Sequence, residues 1–377
     1  MKIPLINPDL PRIDQVKDSF DEILKSGKIT NFGKFVRDFE AKTDEYLGVE
    51  TVSLSSGTVS LIFGLQALGL QRGAKVIIPS FSFVATAQAV LYAGGIPIFA
   101  EVEDDLNISV DDIERLLSEH DDVGAVIAVH MYGLPARALD LERIVSAAAE
   151  RRGKKISLIF DAAHAFGSAQ DGRRVGSFGD MEVFSLSATK VLVAVEGGLV
   201  ATRNPETANR IRDMRNYGIS SKYNAHFPGI NGKMSEFHAI VGLHNIQHID
   251  GLLETRQIKA RSFRKIIAEN TRFGLIEWPE GAVHTVKDFT ILVPEEKAPG
   301  YRDRLMHYLG GKGIETRSYF YPPIHEQEYF KAFSTRKLPK TESLSRRVLS
   351  LPFYTSISDK EMSYITEQLS QFERELS

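Results

Sequence analysis

The sequence has no cysteine among its 377 residues. Disulfides, zinc–thiolate centres and cysteine nucleophiles are therefore excluded. It also lacks a marked excess of either charge. The 46 Lys and Arg stand against 49 Asp and Glu, leaving a net charge of −3. No basic stripe appears, so nucleic acid is not an expected partner. A small anionic ligand stays open, because a pocket can be locally positive in an acidic protein. No apolar run approaches the roughly 18 residues that a membrane span needs. The opening, MKIPLINPDLPR, lacks the apolar core of a secretion signal. A soluble, cytoplasmic chain that avoids membranes is the default expectation. Internal repeats and low-complexity tracts are missing too. What is present is ordinary globular composition, 43% hydrophobic and 25% charged. The length allows a large core and favours two domains over one.

Hydrophobic spacing organises the chain. Residues 11–26 form an amphipathic helix pattern with Ile13, Val16, Phe20, Ile23 and Leu24 on one face, and another helix is expected over 35–47. Short apolar runs at 51–54, 75–78, 96–102, 123–129, 156–160 and 183–186 read as strands. Helical patterns fill most gaps, at 58–69, 83–93, 110–118 and 138–152. Apolar strands alternating with helices point to a mostly parallel sheet covered on both faces. One long helical stretch is expected from about 232 to 270. Beyond it, a strand at 289–293, a helix over 300–312 and a helical tail from 359 suggest a smaller α+β domain from about 250 onward.

In open parallel sheets, ligands sit at the carboxyl ends of the strands. The residues that follow each apolar run are therefore the ones to examine. Ser55-Ser56-Gly57-Thr58 follows the first run and precedes a helix. Free backbone N–H groups and the helix dipole favour a phosphate there, although a plain Ser/Thr helix cap also fits. Asp161 ends the run Ser-Leu-Ile-Phe, where a carboxylate is costly unless it has a partner. A pyridinium N–H would serve, holding the ring protonated as an electron sink; a helix cap or an ion pair would serve as well. Lys190 follows Ser187-Ala188-Thr189 with apolar residues beyond it. Such flanks can lower an amine's pKa and make it a nucleophile toward carbonyls, unless the lysine simply sits on a surface loop. Phe83, at the end of Pro79-Ser80-Phe81-Ser82-Phe83, could stack on a planar ring or pack in the core.

These residues, in this order, resemble the DegT/StrS sugar aminotransferases, which share the pyridoxal-phosphate (PLP) aspartate-aminotransferase fold. The resemblance runs from Gly27-Lys28-Ile29-Thr30 to His325. It rests on Leu54 to Thr58, Pro79 to Phe83, Val129-His130-Met131-Tyr132-Gly133, Asp161-Ala162-Ala163-His164-Ala165, Phe184-Ser185 through Lys190, and Asn231-Gly232-Lys233-Met234-Ser235-Glu236. It implies a fold type I transferase. The large PLP-binding domain, 1–250, would hold a mostly parallel seven-stranded sheet. Residues 251–377 would form the smaller α+β domain, on which the N-terminal helix is free to pack. The implied catalytic residue is Lys190, which bonds the cofactor's aldehyde. Ser56, Gly57, Thr58 and Ser185 would hold the phosphate, Phe83 would stack on the ring, Asp161 would bind its nitrogen, and His164 would sit against the ring or its hydroxyl. Asn231 would reach the phosphate of a neighbouring subunit, implying a homodimer with shared sites. Lys28, Thr30, Arg317, Tyr319 and His325 would face the nucleotide sugar. The run Pro228 to Met234 carries Gly232 where many relatives have Tyr. That run is more similar to the branch making dTDP-4-amino-4,6-dideoxyglucose. Amino transfer from L-glutamate to carbon 4 of dTDP-4-keto-6-deoxyglucose is expected, in deoxyaminosugar synthesis for a surface glycan such as lipopolysaccharide O-antigen. Amination at carbon 3, or a non-catalytic binding or regulatory role on the same fold, are the alternatives.

Other chemistries find less support. Ser187 to Lys190 matches S-x-x-K, but the companion S-D-N and K-T-G motifs are absent. His244 and His248 are four residues apart on a helical pattern, yet His-Asn-Ile-Gln-His lacks the general-base Glu of the zinc-protease motif. No metal is expected. No G-x-G-x-x-G follows a strand, which disfavours a dinucleotide dehydrogenase. The sugar-dehydrating branch of the family carries His in place of the cofactor lysine, and Lys190 argues against it.

Overall fold

The structure, a computed structural model, describes residues 2–220, 223–298 and 300–375. Helices α1 (Ile13–Ser26) and α2 (Lys34–Leu47) come first. Strands and helices then alternate through β1 (Glu50–Leu54), α3 (Gly57–Ala67), β2 (Lys75–Pro79), α4 (Ala85–Tyr92), β3 (Ile96–Ala100), α5 (Val110–Glu119), β4 (Val123–Val129), α6 (Ala138–Arg152) and β5 (Ser157–Asp161). A short hairpin of β6 (Ala169–Gln170) and β7 (Arg173–Arg174) leads to β8 (Met181–Ser185), β9 (Gly198–Thr202) and α7 (Pro205–Met214). Helices α8 (Glu236–Gln247) and α9 (Ile249–Asn270) carry the chain to a second sheet. That sheet consists of β10 (Gly274–Leu275), β11 (Phe289–Leu292) and β12 (Val348–Leu351), with α10 (Gly300–Gly311), α11 (Pro339–Arg347) and α12 (Asp359–Glu375) around it.

The large sheet has seven strands in the order β1-β9-β8-β5-β4-β2-β3. Only β9 runs against its neighbours, β1 and β8; the other pairings are parallel. The mostly parallel α/β sheet expected from the alternating pattern is therefore present. Successive residues of a strand face opposite sides, and here both sides are apolar. Ile77 and Phe160 join the core on one face, with Phe39 of α2 and Leu141 of α6. Ile78 and Ile159 join the core on the other, with Leu65 of α3 and Ile211 of α7. A fully buried Phe such as Phe160 resists truncation to Ala by about 3–5 kcal/mol.

A third core lies between the second sheet and helices α9, α10 and α12, built on Phe263, Ile291, Leu305, Leu349 and Ile365. Ile3 enters this core and bridges to Ile314, whereas α1 packs on α8 through the Phe20–Phe237 ring contact. Between the two sheets, Phe81 and Tyr132 from the large sheet's loops meet Ile276, Leu292 and Val348. That seam fixes how the C-terminal segment faces the strand ends.

Two expectations need correction. The stretch 232–270 is two helices, not one. Ser235 caps the first by accepting from His238 N, and His248 breaks the pair. The His248 ring donates from Nδ1 to the carbonyl of His244 at 2.8 Å, taking the acceptor that the next helical N–H would use. The backbone N–H of His248 turns to Asn245 instead. Strand β9 was not among the apolar runs read as strands, although the resemblance implied a seventh strand. It is a short apolar run entered from a loop, and it belongs to the sheet through antiparallel pairing that periodicity does not signal. Among the described residues, no helix is long and apolar enough to cross a membrane.

Candidate active site

The carboxyl ends of β1, β2, β4, β5 and β8 open into one cavity of about 400 Å³. Local sequence explains the opening. Strand β1 gives way to Ser55-Ser56-Gly57 and β5 to Ala162-Ala163, so the chain can turn there without filling the space with side chains. Ser56 is extended and caps α3, with its hydroxyl accepting from Val59 N at 3.2 Å. Gly57 and Thr58 begin the helix and line the cavity. A Cβ on Gly57 would come within 3.1 Å of Ser185 Cβ, and one on Gly198 within 2.3 Å of the Ser56 carbonyl. Glycine at both places lets β8 and β9 press against the start of α3. The result is a helix N-terminus with its N–H groups facing the cavity, an arrangement that favours an anion.

Asp161 is buried at the end of β5. Thr86 of α4 donates its hydroxyl to Oδ2 at 2.8 Å, and the Ala163 N–H donates to Oδ1 at 3.2 Å. Burial raises its pKa, partly offset by those two hydrogen bonds and by Lys190 and His130. A buried carboxyl held in this way suits a cationic ring N–H. His164, also buried, is kept neutral well below the usual imidazole range by burial and by the cations Lys190 and Lys287. Its Nδ1 is buried without a hydrogen-bond partner. Such an atom calls for a ligand group.

Lys190 sits in the loop after β8, half-buried against the cavity, and its N–H is held by the Ser187 carbonyl at 2.9 Å. Enclosure and then Lys287 lower its pKa to about 7, while Asp288, Asp161 and Glu196 pull it up. A substantial fraction is thus the neutral amine near neutral pH, the form that attacks carbonyl carbon. Phe83 is 58% exposed, so it is not a core residue; it lines the cavity 6.0 Å from the Phe320 ring.

The structure therefore brings together Ser56, Gly57, Thr58, Phe83, Asp161, His164, Ser185 and Lys190, and adds Tyr319 from the C-terminal part. It does not bring in the other expected residues. Lys28, Asn231 and Arg317 are exposed and Thr30 half-buried outside the cavity. Arg317 pairs with Glu315 at 2.9 Å. His325 is buried instead of facing a ligand. Its Nδ1 meets Ser80 Oγ at 2.6 Å, and its Nε2 lies 3.5 Å from Glu342. The Ser80 contact at Nδ1 joins the β2 exit to the C-terminal segment, while Nε2 is buried near Glu342 without a hydrogen bond. His325 therefore does not line the cavity.

Three residues were missed: Thr86, Lys287 and Asp288. Lys287 and Asp288 are buried, paired at 2.7 Å, and line the cavity. The signal that exposed Asp161, a charge abutting an apolar run, is present here too, at the start of β11 instead of a strand end. Thr86 gave no signal, since a threonine inside a helix pattern is unremarkable.

A cavity with this donor set fits PLP: a helix N-terminus for phosphate, a buried carboxylate for the ring nitrogen, an orphaned imidazole nitrogen, and an amine of lowered pKa. Comparison with known proteins agrees. The model of the DegT/DnrJ/EryC1/StrS aminotransferase family matches residues 12–370. A dTDP-4-amino-4,6-dideoxy-D-glucose transaminase of Escherichia coli is 33% identical, over 97% of this chain and 98% of its own. A UDP-N-acetyl-3-dehydro-alpha-D-glucosamine 3-aminotransferase of Acidithiobacillus ferrooxidans is also 33% identical, over 92% of each chain. The crystal structure of DesI in the presence of its TDP-sugar product superimposes with a TM-score of 0.90 at 31% identity, covering 100% of this chain and 94% of that one.

Proposed function

Since this chain belongs to the DegT/DnrJ/EryC1/StrS aminotransferase family, and is a PLP-dependent sugar aminotransferase, we propose that it moves an amino group from L-glutamate to carbon 4 of dTDP-4-keto-6-deoxyglucose. The observation that carries this reading is the single cavity holding Lys190, Asp161 and the α3 N-terminus. The likeness to the E. coli dTDP-sugar transaminase over nearly its whole length supports the sugar and the carbon.

PLP, when bound, supplies an aldehyde for amines and a ring that accepts the electrons released as a proton leaves the donor's α-carbon. The chain's residues provide the rest. The N–H groups of Gly57 and Thr58, with the hydroxyls of Ser56, Thr58 and Ser185, bind the phosphate. Asp161 accepts the ring N–H and keeps that nitrogen charged. Phe83 and His164 hold the ring in place. Lys190 would hold the cofactor as the amine that bonds its aldehyde, and as a free amine it would carry the α proton from one side of the reaction to the other. When the sugar is the acceptor, the same amine moves the proton in reverse.

Residues 1–250 act as the cofactor-binding domain, and 251–377 as the smaller domain that lends Tyr319. The working unit is a homodimer, in which Asn231 of each chain reaches its neighbour's phosphate. Lys28, Thr30 and Arg317 meet the nucleotide sugar at that shared boundary. The exposure of Lys28, Asn231 and Arg317 in the single chain supports this, since a boundary residue is open until the partner arrives. The setting is cytoplasmic deoxyaminosugar synthesis for a surface glycan such as O-antigen.

A second reading, amination at carbon 3, is favoured by the equally identical UDP-sugar 3-aminotransferase. Incubation with dTDP-, UDP- and GDP-linked keto-sugars and glutamate separates the two, with the product identified by mass and NMR. An amine on carbon 4 of the dTDP sugar is expected. An amine on carbon 3, or turnover restricted to another nucleotide, would overturn the finer reading.

A further inference from the structure

Lys287 and Asp288 stand at the entrance of β11, whose four residues are all buried. Each is itself less than a tenth exposed, at 8% and 6%. Two charges in such a place need each other, and they meet at 2.7 Å. The segment carrying them is firmly held. Lys287 N–H donates to the Tyr132 carbonyl at 2.8 Å, and Thr285 Oγ1 donates to the His164 carbonyl at 2.7 Å. From behind, buried Arg256 of α9 donates to the carbonyls of Thr285 at 3.1 Å and Val286 at 2.5 Å. The pair is thus fixed in the wall of the cavity contributed by the C-terminal part of the chain.

Its hydrogen-bonding capacity is not used up. Asp288 Oδ2 is buried with no partner. The Lys287 ammonium has three donors and spends one on Asp288 Oδ1. A buried acceptor and spare donors lie side by side, with no net charge between them. A diphosphate or carboxylate would bring its own negative charge against Asp288. A hydroxyl donates and accepts at once and brings none. Tyr319 and Phe320 line the same wall, and the Tyr319 ring lies 5.5 Å from Lys287 Nζ. Flat apolar surface beside a donor–acceptor pair suits a sugar ring, with C–H faces and hydroxyl edges.

We propose that the Lys287–Asp288 pair reads a hydroxyl of the hexose in the nucleotide-sugar substrate, and so sets which sugars are accepted. This rests on the reading given under Proposed function. Sites built to hydrogen-bond a substrate hydroxyl reject strongly the analogue that lacks it, because a buried polar group is then left unpaired.

The test measures binding, free of turnover. Cofactor-loaded protein is titrated by calorimetry with dTDP-glucose, UDP-N-acetylglucosamine and GDP-mannose, with the matching nucleoside diphosphates, and with glutamate. Wild type should bind at least one nucleotide hexose more tightly than its nucleoside diphosphate. Asp288→Asn and Lys287→Met should each lose tenfold or more toward that nucleotide hexose, and less than threefold toward the nucleoside diphosphate. Equal losses toward both ligands, no loss, or a loss confined to glutamate would overturn the proposal. Nucleotide hexoses lacking one ring hydroxyl give a readout independent of how the variants fold. One of them should bind wild type tenfold or more weakly, yet bind Asp288→Asn no worse than the full sugar does. If every single-hydroxyl deletion weakens both proteins alike, the proposal fails. Should wild type favour no nucleotide hexose over its nucleoside diphosphate, the sugar-transferase reading falls as well.

Discussion

The hydroxyl of Thr86 donates to Oδ2 of Asp161 across 2.8 Å, joining the first turn of α4 to the end of β5. Thr86 is in turn 2.8 Å from Ser82 Oγ, so the β2 exit loop, the helix and the carboxylate form one chain of hydrogen bonds. The carboxylate is thereby aimed before any ligand arrives. Thr86→Val removes the hydroxyl at nearly constant shape. A hydrogen bond to a charged group contributes about 1.5–3 kcal/mol, or roughly ten- to a hundredfold in affinity. PLP affinity, followed by absorbance titration, should fall by that factor, and Thr86→Ser should restore most of it. An unchanged affinity in the valine variant would remove Thr86 from the account.

Asp161 should act with opposite sign on the empty and loaded protein. Burial raises its folded pKa above the ordinary carboxylate value. The folded state then binds the proton more tightly than the unfolded state, so stability falls as pH rises from the unfolded pKa through the raised one. Above that window the cofactor-free protein carries an unpaired buried charge. Asp161→Asn relieves it and should melt no lower than wild type on the alkaline side of that window without PLP. With PLP the order reverses. A ligand at a hundred times its Kd stabilises by about 2.7 kcal/mol, and the variant should lose most of that gain. Paired melting curves check it; equal PLP-induced shifts in both proteins would contradict it.

The lowered amine of Lys190 has a measurable pH signature. With a pKa of about 7, it is mostly neutral at pH 8, whereas an ordinary lysine is not until above pH 10. In cofactor-free protein, its labelling by an amine-directed reagent should rise through a midpoint near pH 7, read peptide by peptide in a mass spectrometer. Lys287 is the first charged contributor to that lowering. Lys287→Met should therefore move the midpoint to higher pH. A midpoint near 10 in wild type, or no movement in the variant, would refute the electrostatic argument.

Lys190→Ala should abolish steady-state transamination while leaving the helix N-terminus and Asp161 to bind PLP. Wild-type loaded protein should absorb in the violet and lose that band on addition of glutamate. The alanine variant should turn over nothing. Sustained product formation by it, measured in the keto-sugar assay, would mean that another group moves the proton.

How far the sequence carries follows from which residues are local to a strand end. Ser56-Gly57-Thr58 and Asp161 directly follow apolar runs, so the topology of a parallel sheet gathers them without knowledge of contacts, whereas Ser185 lies within a run and only the family resemblance marks it. Lys190 follows a few residues later in the same loop. Lys287 and Asp288 lead into another sheet, almost a hundred residues on, and their place in the cavity with Lys190 depends on the seam of Phe81, Tyr132, Leu292 and Val348. No periodicity encodes such a seam. His325 is a different case. The motif around it suggests a ligand contact, yet in this chain it is buried outside the cavity with Nδ1 on Ser80. The break at His248 was hidden for a related reason, since one side-chain hydrogen bond to His244 ends a helix whose pattern continues.

The central claim is that Lys190 is the amine that meets the cofactor, although Lys287 shares its cavity. Borohydride reduction of the PLP-loaded protein fixes whichever C=N bond is present, and peptide mass spectrometry then locates it. The account predicts one pyridoxyl group per chain, on the peptide containing Lys190. A pyridoxyl group on Lys287, or spread among surface lysines, would contradict it.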